Sequence, residues 1–286
     1  MTQIISSLLD YSNLYDVYLI DLWGLTHNGK EAFPSAIDVF QKLKEQGKTL
    51  IVISNAPLLP DMVKQLLQTN MNIDADHLFD DVITSGLVCR QHMETHYKGQ
   101  KLYHMGPERV FGLFENLCTS VPLDEADFVL LTGTEEWTTS AAEFTEVLTK
   151  IAHLRLPVLC ANADRHVYIG DSKYICAGTL ADQYIEITKE LNIQDEINLI
   201  IFGKPYQEVF DLAIQEASRF QNHLDKNRLI MLGDSLHTDV AGANQYGIHS
   251  LFTLSGVHQH EPWNDLEKKM INEKLNPTYS MKGCLK

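Results

Sequence analysis

The chain has 286 residues, 44% hydrophobic and 21% charged, a globular composition long enough for two compact units or one unit with an insertion. Its net charge is −15, from 38 acidic against 23 basic residues. Such a surface repels nucleic acid and anionic lipid, and it repels phosphate esters at long range, so a phosphate site must be made locally positive by a metal, a lysine or helix amides.

The opening stretch, MTQIISSLLDYSN, lacks the basic segment and long apolar run of a signal peptide, and no window approaches the roughly 20 apolar residues of a membrane span. Five scattered cysteines (Cys89, Cys118, Cys160, Cys176, Cys284) include no CxxC pair, so reduced thiols in a cytoplasmic protein are expected.

In chain order, Val17–Ile20 is a continuous apolar run that stops on Asp21, the pattern of a strand buried on both faces. Residues 33–48 follow with Pro34 near a helix start, Ile37, Phe40 and Leu43 at helical spacing, and Gly47 at the end. Thr49–Pro57 is a second β-branched run, closed by Ser54, Asn55 and a proline, and 59–70 reads as another helix. This βαβα rhythm predicts a parallel sheet. It returns near the C-terminus, with strands at 197–205, 228–235 and 248–254 and helices at 206–220 and 238–247. Between them, residues 85–186 have their own alternation: KLYHMG, ADFVLLTG and PVLCAN as strands, helices near 107–117 and 140–154, and a last helix over Tyr174–Glu186. The expected organisation is a Rossmann-like α/β core over 1–84 and 187–286, with an α/β cap inserted over 85–186.

Asp21, Ser54, Lys204 and Asp234 all fall at the carboxyl ends of predicted strands, where open α/β sheets bind ligands. Asp21 can attack phosphorus and form an aspartyl phosphate. A carboxylate and a phosphate dianion repel, so a divalent cation is needed; GDSLHTD offers Asp234 and Asp239, hard ligands that suit Mg2+. Lys204 neutralises remaining phosphate charge. Ser54 and its neighbouring amide can hold a phosphate oxygen, and Gly24 lets backbone amides approach the same group. Each has a plainer role open to it: Ser54 and Asn55 as a turn or cap, Lys204 as a surface lysine, Asp234 and Asp239 as helix-start aspartates.

As a set, DLWG, VISN, FGKP and GDSLHTD, in that order, resemble the four motifs of the haloacid dehalogenase (HAD) superfamily. The insertion between the second and third motifs, and the stretch ANADR at 161–165, are similar to the α/β-capped subclass IIA of sugar-phosphate and nitrophenyl-phosphate phosphatases. The resemblance implies a Mg2+-dependent hydrolase of small phosphorylated metabolites, with no nucleic-acid or membrane partner, and a homodimer through the cap. It makes Asp21 the nucleophile and a metal ligand, Trp23 the donor of a backbone carbonyl to the metal, and Asp234 a further ligand. Ser54, Asn55 and Lys204 hold the phosphoryl group, and Asp239 supports the metal's water or Lys204. Arg165 and His166 in the cap are candidates to touch substrate.

One position departs from the pattern. The superfamily's phosphatases carry an aspartate two residues after the nucleophile to protonate the leaving oxygen and activate water; here that residue is Trp23. An indole N–H has no useful acidity and cannot act as a base. Turnover is therefore expected to favour leaving groups of low pKa, unless His27 reaches back as the acid. An inactive or slow phosphate-ester-binding relative is the second reading. A carbon–halogen hydrolase is disfavoured by the acidic metal set, and a dinucleotide enzyme by the absence of GxGxxG. HQH at 258–260 has the look of a metal pair but reads better as exposed loop histidines.

Overall fold

Uninterrupted apolar runs become strands covered on both faces, and two such sheets form. The computed structural model describes residues 2–221 and 223–286. The chain begins with β1 (Gln3–Ile4), β2 (Val17–Ile20), α1 (Pro34–Glu45), β3 (Thr49–Ser54), α2 (Pro60–Met71), α3 (Ala75–Leu78), β4 (Asp81–Thr84) and α4 (Ser85–His96). It continues through β5 (Lys101–Met105), β6 (Thr119–Ser120), β7 (Phe128–Leu131), α5 (Thr145–Leu154), β8 (Val158–Cys160), β9 (His166–Ile169), β10 (Ser172–Ile175), α6 (Ala177–Glu190) and β11 (Leu199–Ile201). It closes with α7 (Gln207–Ala217), β12 (Leu229–Gly233), α8 (Ala241–Tyr246), β13 (His249–Thr253), α9 (Trp263–Asn272) and β14 (Tyr279–Met281).

The first sheet is wholly parallel, in the order β1-β14-β13-β12-β2-β3-β4. Its central strand β2 has no exposed residue, as its unbroken VYLI requires. From β2 the chain steps outward through β3 and β4, then returns to the other side of β2 through β12, β13 and β14. The strand order thus reverses between β2 and β12, and Asp21 and Asp234 stand just past those two strands.

The second sheet, β11-β8-β7-β5-β6, is also parallel. An antiparallel β9–β10 hairpin, turning at Gly170, reaches from it toward the first. Three expectations are corrected here. The apolar run near 197–205 yields a strand only over Leu199–Ile201, and it pairs with β8, so it is the edge of the second sheet and not a strand of the core. The boundary expected after 186 falls before this strand. Residues 172–175 are strand, and the helix expected from Tyr174 starts at Ala177. The segment near 107–117 forms only a 3-10 turn, Glu108–Leu113, between Pro107 and the exposed Asn116, which takes positive φ. At the other junction, Cys89 and Met93 of α4 are buried in the same apolar cluster as β2 and β3. Among the described residues no helix is long and apolar enough to cross a membrane.

Candidate active site

Four side chains meet where the first sheet's strand order reverses. Asp21 follows β2, and Asp234 follows β12. Asp239 lies in the π-helical turn Leu236–Val240 that leads into α8, and Lys204 stands three residues past β11. All four are buried, Lys204 to within 1% of complete enclosure. The Lys204 ammonium lies 2.5 Å from Asp21 Oδ1 and 2.7 Å from Asp239 Oδ1. Asp239 Oδ2 accepts the Ser235 amide at 3.0 Å, so this carboxylate is held on both sides. Asp234 Oδ2 accepts the amide of Val257.

Burying three carboxylates around one ammonium is costly. Burial pushes the Asp21 carboxyl up to about 8, with the nearby Asp239 charge adding and the Lys204 ammonium opposing. Burial raises Asp234 well above the carboxylate range, reinforced by the charges of Asp21 and Asp239. For Lys204, the surrounding acids outweigh desolvation and hold the ammonium protonated.

The donor set fits a hard divalent cation. Oxygen atoms of Asp21, Asp234 and Asp239 all lie within 4.8 Å of one another. Asp21 Oδ2 is buried without a hydrogen-bond partner, a vacancy for a ligand bond of the kind that native cores seldom leave open. Two glycines make room for Asp234: a Cβ at Gly256 would lie 1.9 Å, and one at Gly24 2.2 Å, from its Oδ2. Gly24 also takes φ +91°, which side chains with a Cβ rarely adopt.

Ser54 is buried at the end of β3, where its Oγ accepts the Ala56 amide at 3.2 Å, and it lines the same cavity. Asn55 is spent elsewhere. Its Oδ1 accepts the Lys204 amide at 2.6 Å, and its Nδ2 donates to the Lys204 carbonyl at 3.0 Å and to Asp164 Oδ1 at 2.8 Å. The Asn55 side chain therefore fixes the lysine's backbone and ties it to the second sheet, and it is not free for a phosphate contact. Arg165 lines the same cavity but is not brought to this cluster: its guanidinium is half exposed and forks onto Asp182, with Nε–Oδ2 2.5 Å and Nη2–Oδ1 3.1 Å. The neighbouring Asp164, not singled out from the sequence, is the residue of ANADR that reaches the core. No spacing rule marks it, because its partner lies 109 positions away.

Trp23 points across the seam between the sheets. Its Nε1–H donates to the Tyr168 carbonyl on β9 at 2.7 Å, and its ring packs on His27 and on Trp137 at 5.1 and 6.3 Å. Gly29 leaves the space the indole fills; a Cβ there would sit 2.4 Å from Trp23 Cζ2. His27 does not supply an acid. Its Nδ1 accepts the Gly29 amide at 3.1 Å, and burial lowers its pKa to about 4, so the ring is neutral. Of the HQH histidines expected to be exposed, His258 is instead buried, with Nδ1 engaged by Glu261 at 2.6 Å and Nε2 accepting the Leu236 amide at 3.4 Å, which leaves it no nitrogen for a metal.

Core and cap loops together enclose a cavity of about 750 Å³ that contains Asp21, Ser54, Asp234 and Asp239. An acid–ammonium–acid array at the switch point of a parallel α/β sheet, covered by a second α/β layer, defines a capped enzyme of the hydrolase type. Two family models agree: one for haloacid dehalogenase-like hydrolases matches residues 18–117, and a HAD-hydrolase-like model matches 201–279. The chain belongs to the HAD superfamily, in its subclass IIA. A 5'-nucleotidase of Bacillus subtilis, YutF, is 24% identical over 260 residues, covering 89% of this chain and 93% of that one. An acid sugar phosphatase of Staphylococcus epidermidis is 26% identical over 270 residues, covering 94% and 95%. Among solved structures, a haloacid dehalogenase-like hydrolase from Brucella suis superimposes with a TM-score of 0.85 at 28% identity over 99% of this chain and 100% of its own. The p-nitrophenyl phosphatase of Archaeoglobus fulgidus does so at 0.70 and 18% identity, over 94% and 96%.

Proposed function

We propose that this chain is a Mg2+-dependent phosphatase of small organic phosphate esters, acting through an aspartyl phosphate on Asp21. The observation that carries the reading is the Lys204 ammonium, held between Asp21 and Asp239 beside Asp234, at the reversal of the sheet. The relatives named as phosphatases and a 5'-nucleotidase point the same way. Asp21, Asp234 and the backbone carbonyl at Trp23 would hold the metal, which when bound screens the phosphate dianion from the carboxylates and stabilises charge in flight. Asp21 attacks in line; Lys204 and the Ser54 hydroxyl and adjacent amide neutralise the equatorial oxygens. Asn55 keeps the Lys204 backbone in place, and the cap excludes water. Five unpaired cysteines support a reducing, cytoplasmic setting.

Neither group that the sequence offered for the leaving oxygen can serve as its acid: the Trp23 N–H is spent on Tyr168, and His27 is neutral. The enzyme therefore works best on esters whose leaving group departs without a proton, aryl and acyl phosphates, and its phosphoaspartate is slow to hydrolyse. The same observation favours a second reading, a ligand-binding relative with negligible turnover. A panel of aryl, acyl and alkyl phosphates, run with and without Mg2+ on the wild type and Asp21→Asn, tests both. Mg2+-dependent release of phosphate that Asp21→Asn abolishes supports the enzyme. Binding without release across the whole panel supports the relative.

A further inference from the structure

The second sheet has a strand reversal of its own. From β5 the chain passes to β6 on one side and then to β7, β8 and β11 on the other. The order β6-β5-β7-β8-β11 places a switch point between β5 and β7, and ligands of open α/β sheets seat off the carboxyl ends of strands at such a point. The loops there, 106–109 and 132–137, line the same cavity as Asp21. They are packed tightly: a Cβ at Gly106, whose φ is +154°, would lie 2.0 Å from Thr132 Oγ1, and Thr132 bonds His104 Nε2 at 2.8 Å.

Each loop contributes one large side chain. Arg109 places its guanidinium carbon 5.5 Å from the ring centre of Trp137, and Trp137 is the ring that meets Trp23 at 6.3 Å. An aromatic path thus runs from the residue two beyond the nucleophile to a cation. Five of the six arginines, Arg90, Arg155, Arg165, Arg219 and Arg228, have a carboxylate within 4 Å. Among the described residues Arg109 alone has none, in a chain with 38 acids to choose from. Glu136 is near enough to act on it electrostatically but not to pair. Partial desolvation in the cavity wall disfavours its charge, a cost that an incoming anion relieves. Guanidinium is also the cation best shaped to grip carboxylate or phosphate with two parallel bonds.

We propose that the crevice between the loops after β5 and β7 is the far end of the substrate site, where Arg109, braced on Trp137, binds a second anionic group carried by the phosphate ester. The substrate class is then an elongated ester with phosphate at one end and a carboxylate or second phosphate at the other, the spacing set by the 6.3 and 5.5 Å steps past Trp23. This rests on the phosphatase reading only for which end reacts.

Phosphonates test it without turnover. The full chain, with Mg2+, is titrated calorimetrically with a homologous series of ω-phosphonocarboxylates and with alkylphosphonates of equal length. The terminal carboxylate is expected to tighten binding about tenfold or more at one chain length, and Arg109→Gln to bring that ratio to near one. Arg109 is exposed and unpaired, so the variant folds; circular dichroism checks this. No advantage at any length, an advantage that survives Arg109→Gln, or no binding of either series overturns the proposal. Aryl phosphate turnover reads the hydrolase assignment separately, so either can fail alone.

Discussion

Replacing Trp23 with aspartate puts a carboxyl where the superfamily's phosphatases keep their acid, and the structure sets what is gained and lost. The gain is general acid–base catalysis, about 10²–10⁴-fold, or roughly 3–5 kcal/mol at 1.36 per decade. It applies to alkyl phosphates, whose leaving oxygen needs a proton, and barely to nitrophenyl phosphate. The loss is the hydrogen bond to Tyr168, about 1 kcal/mol net, and the packing of a half-buried indole on His27, Trp137 and Gly29. Removing a fully enclosed tryptophan costs roughly 3–5 kcal/mol; partial exposure brings this to about 2, a fall in Tm of about 4–8 °C. The assay is log(kcat/KM) against leaving-group pKa for a series of aryl and alkyl phosphates. The wild type should give a steep negative slope and Trp23→Asp a shallow one. Trp23→Phe, which keeps a ring but removes the N–H, should weaken cap closure and leave the slope steep. A shallow wild-type slope, or an unchanged slope in Trp23→Asp that still binds Mg2+, would refute the reasoning.

Other outcomes follow from the same geometry. Mg2+ at a hundred times its Kd should stabilise the fold by about 2.7 kcal/mol; Gly256→Ala, whose Cβ would press on Asp234 Oδ2, should remove that gain in a melting-temperature titration. Asn55→Ala strips the buried Lys204 amide of its acceptor and should cost about 1–3 kcal/mol in urea unfolding, with a raised KM from the lost Asp164 tie. Burial lifts the Asp164 carboxyl to about 6, against the pull of Lys204 and Asn55. A raised acid favours folding below its unfolded value near roughly 4 and loses that contribution as pH climbs through 6. Asp164→Asn, which keeps an acceptor for Asn55, should therefore gain on the wild type by about 1–2 kcal/mol between pH 4 and 7; a constant difference across that range would contradict it.

The strands that carry Asp21, Ser54 and Asp234 were legible because a run such as VYLI or LIMLG, cut off by a polar residue, has few other uses. The sheet to which LII belongs was not, because three apolar residues look alike at either edge, and only the pairing with Val158–Cys160 decides. Arg165 and Asp164 show the limit at the site. Adjacent charged residues in one loop diverge, one to Asp182 across the surface and one to Asn55 in the core, and that divergence depends on backbone direction that no spacing records. The β9–β10 hairpin mixes exposed and half-buried positions, so it carries no clean apolar alternation, yet it supplies the carbonyl that engages Trp23.

Lys204 stands only three positions beyond Ile201, the last residue of the cap's edge strand. Only three peptide links separate that strand from Lys204, so a displacement of the cap's edge is carried directly to the residue that bears the ammonium. The two-sided grip of Asn55 on the Lys204 main chain anchors that short link at its core end.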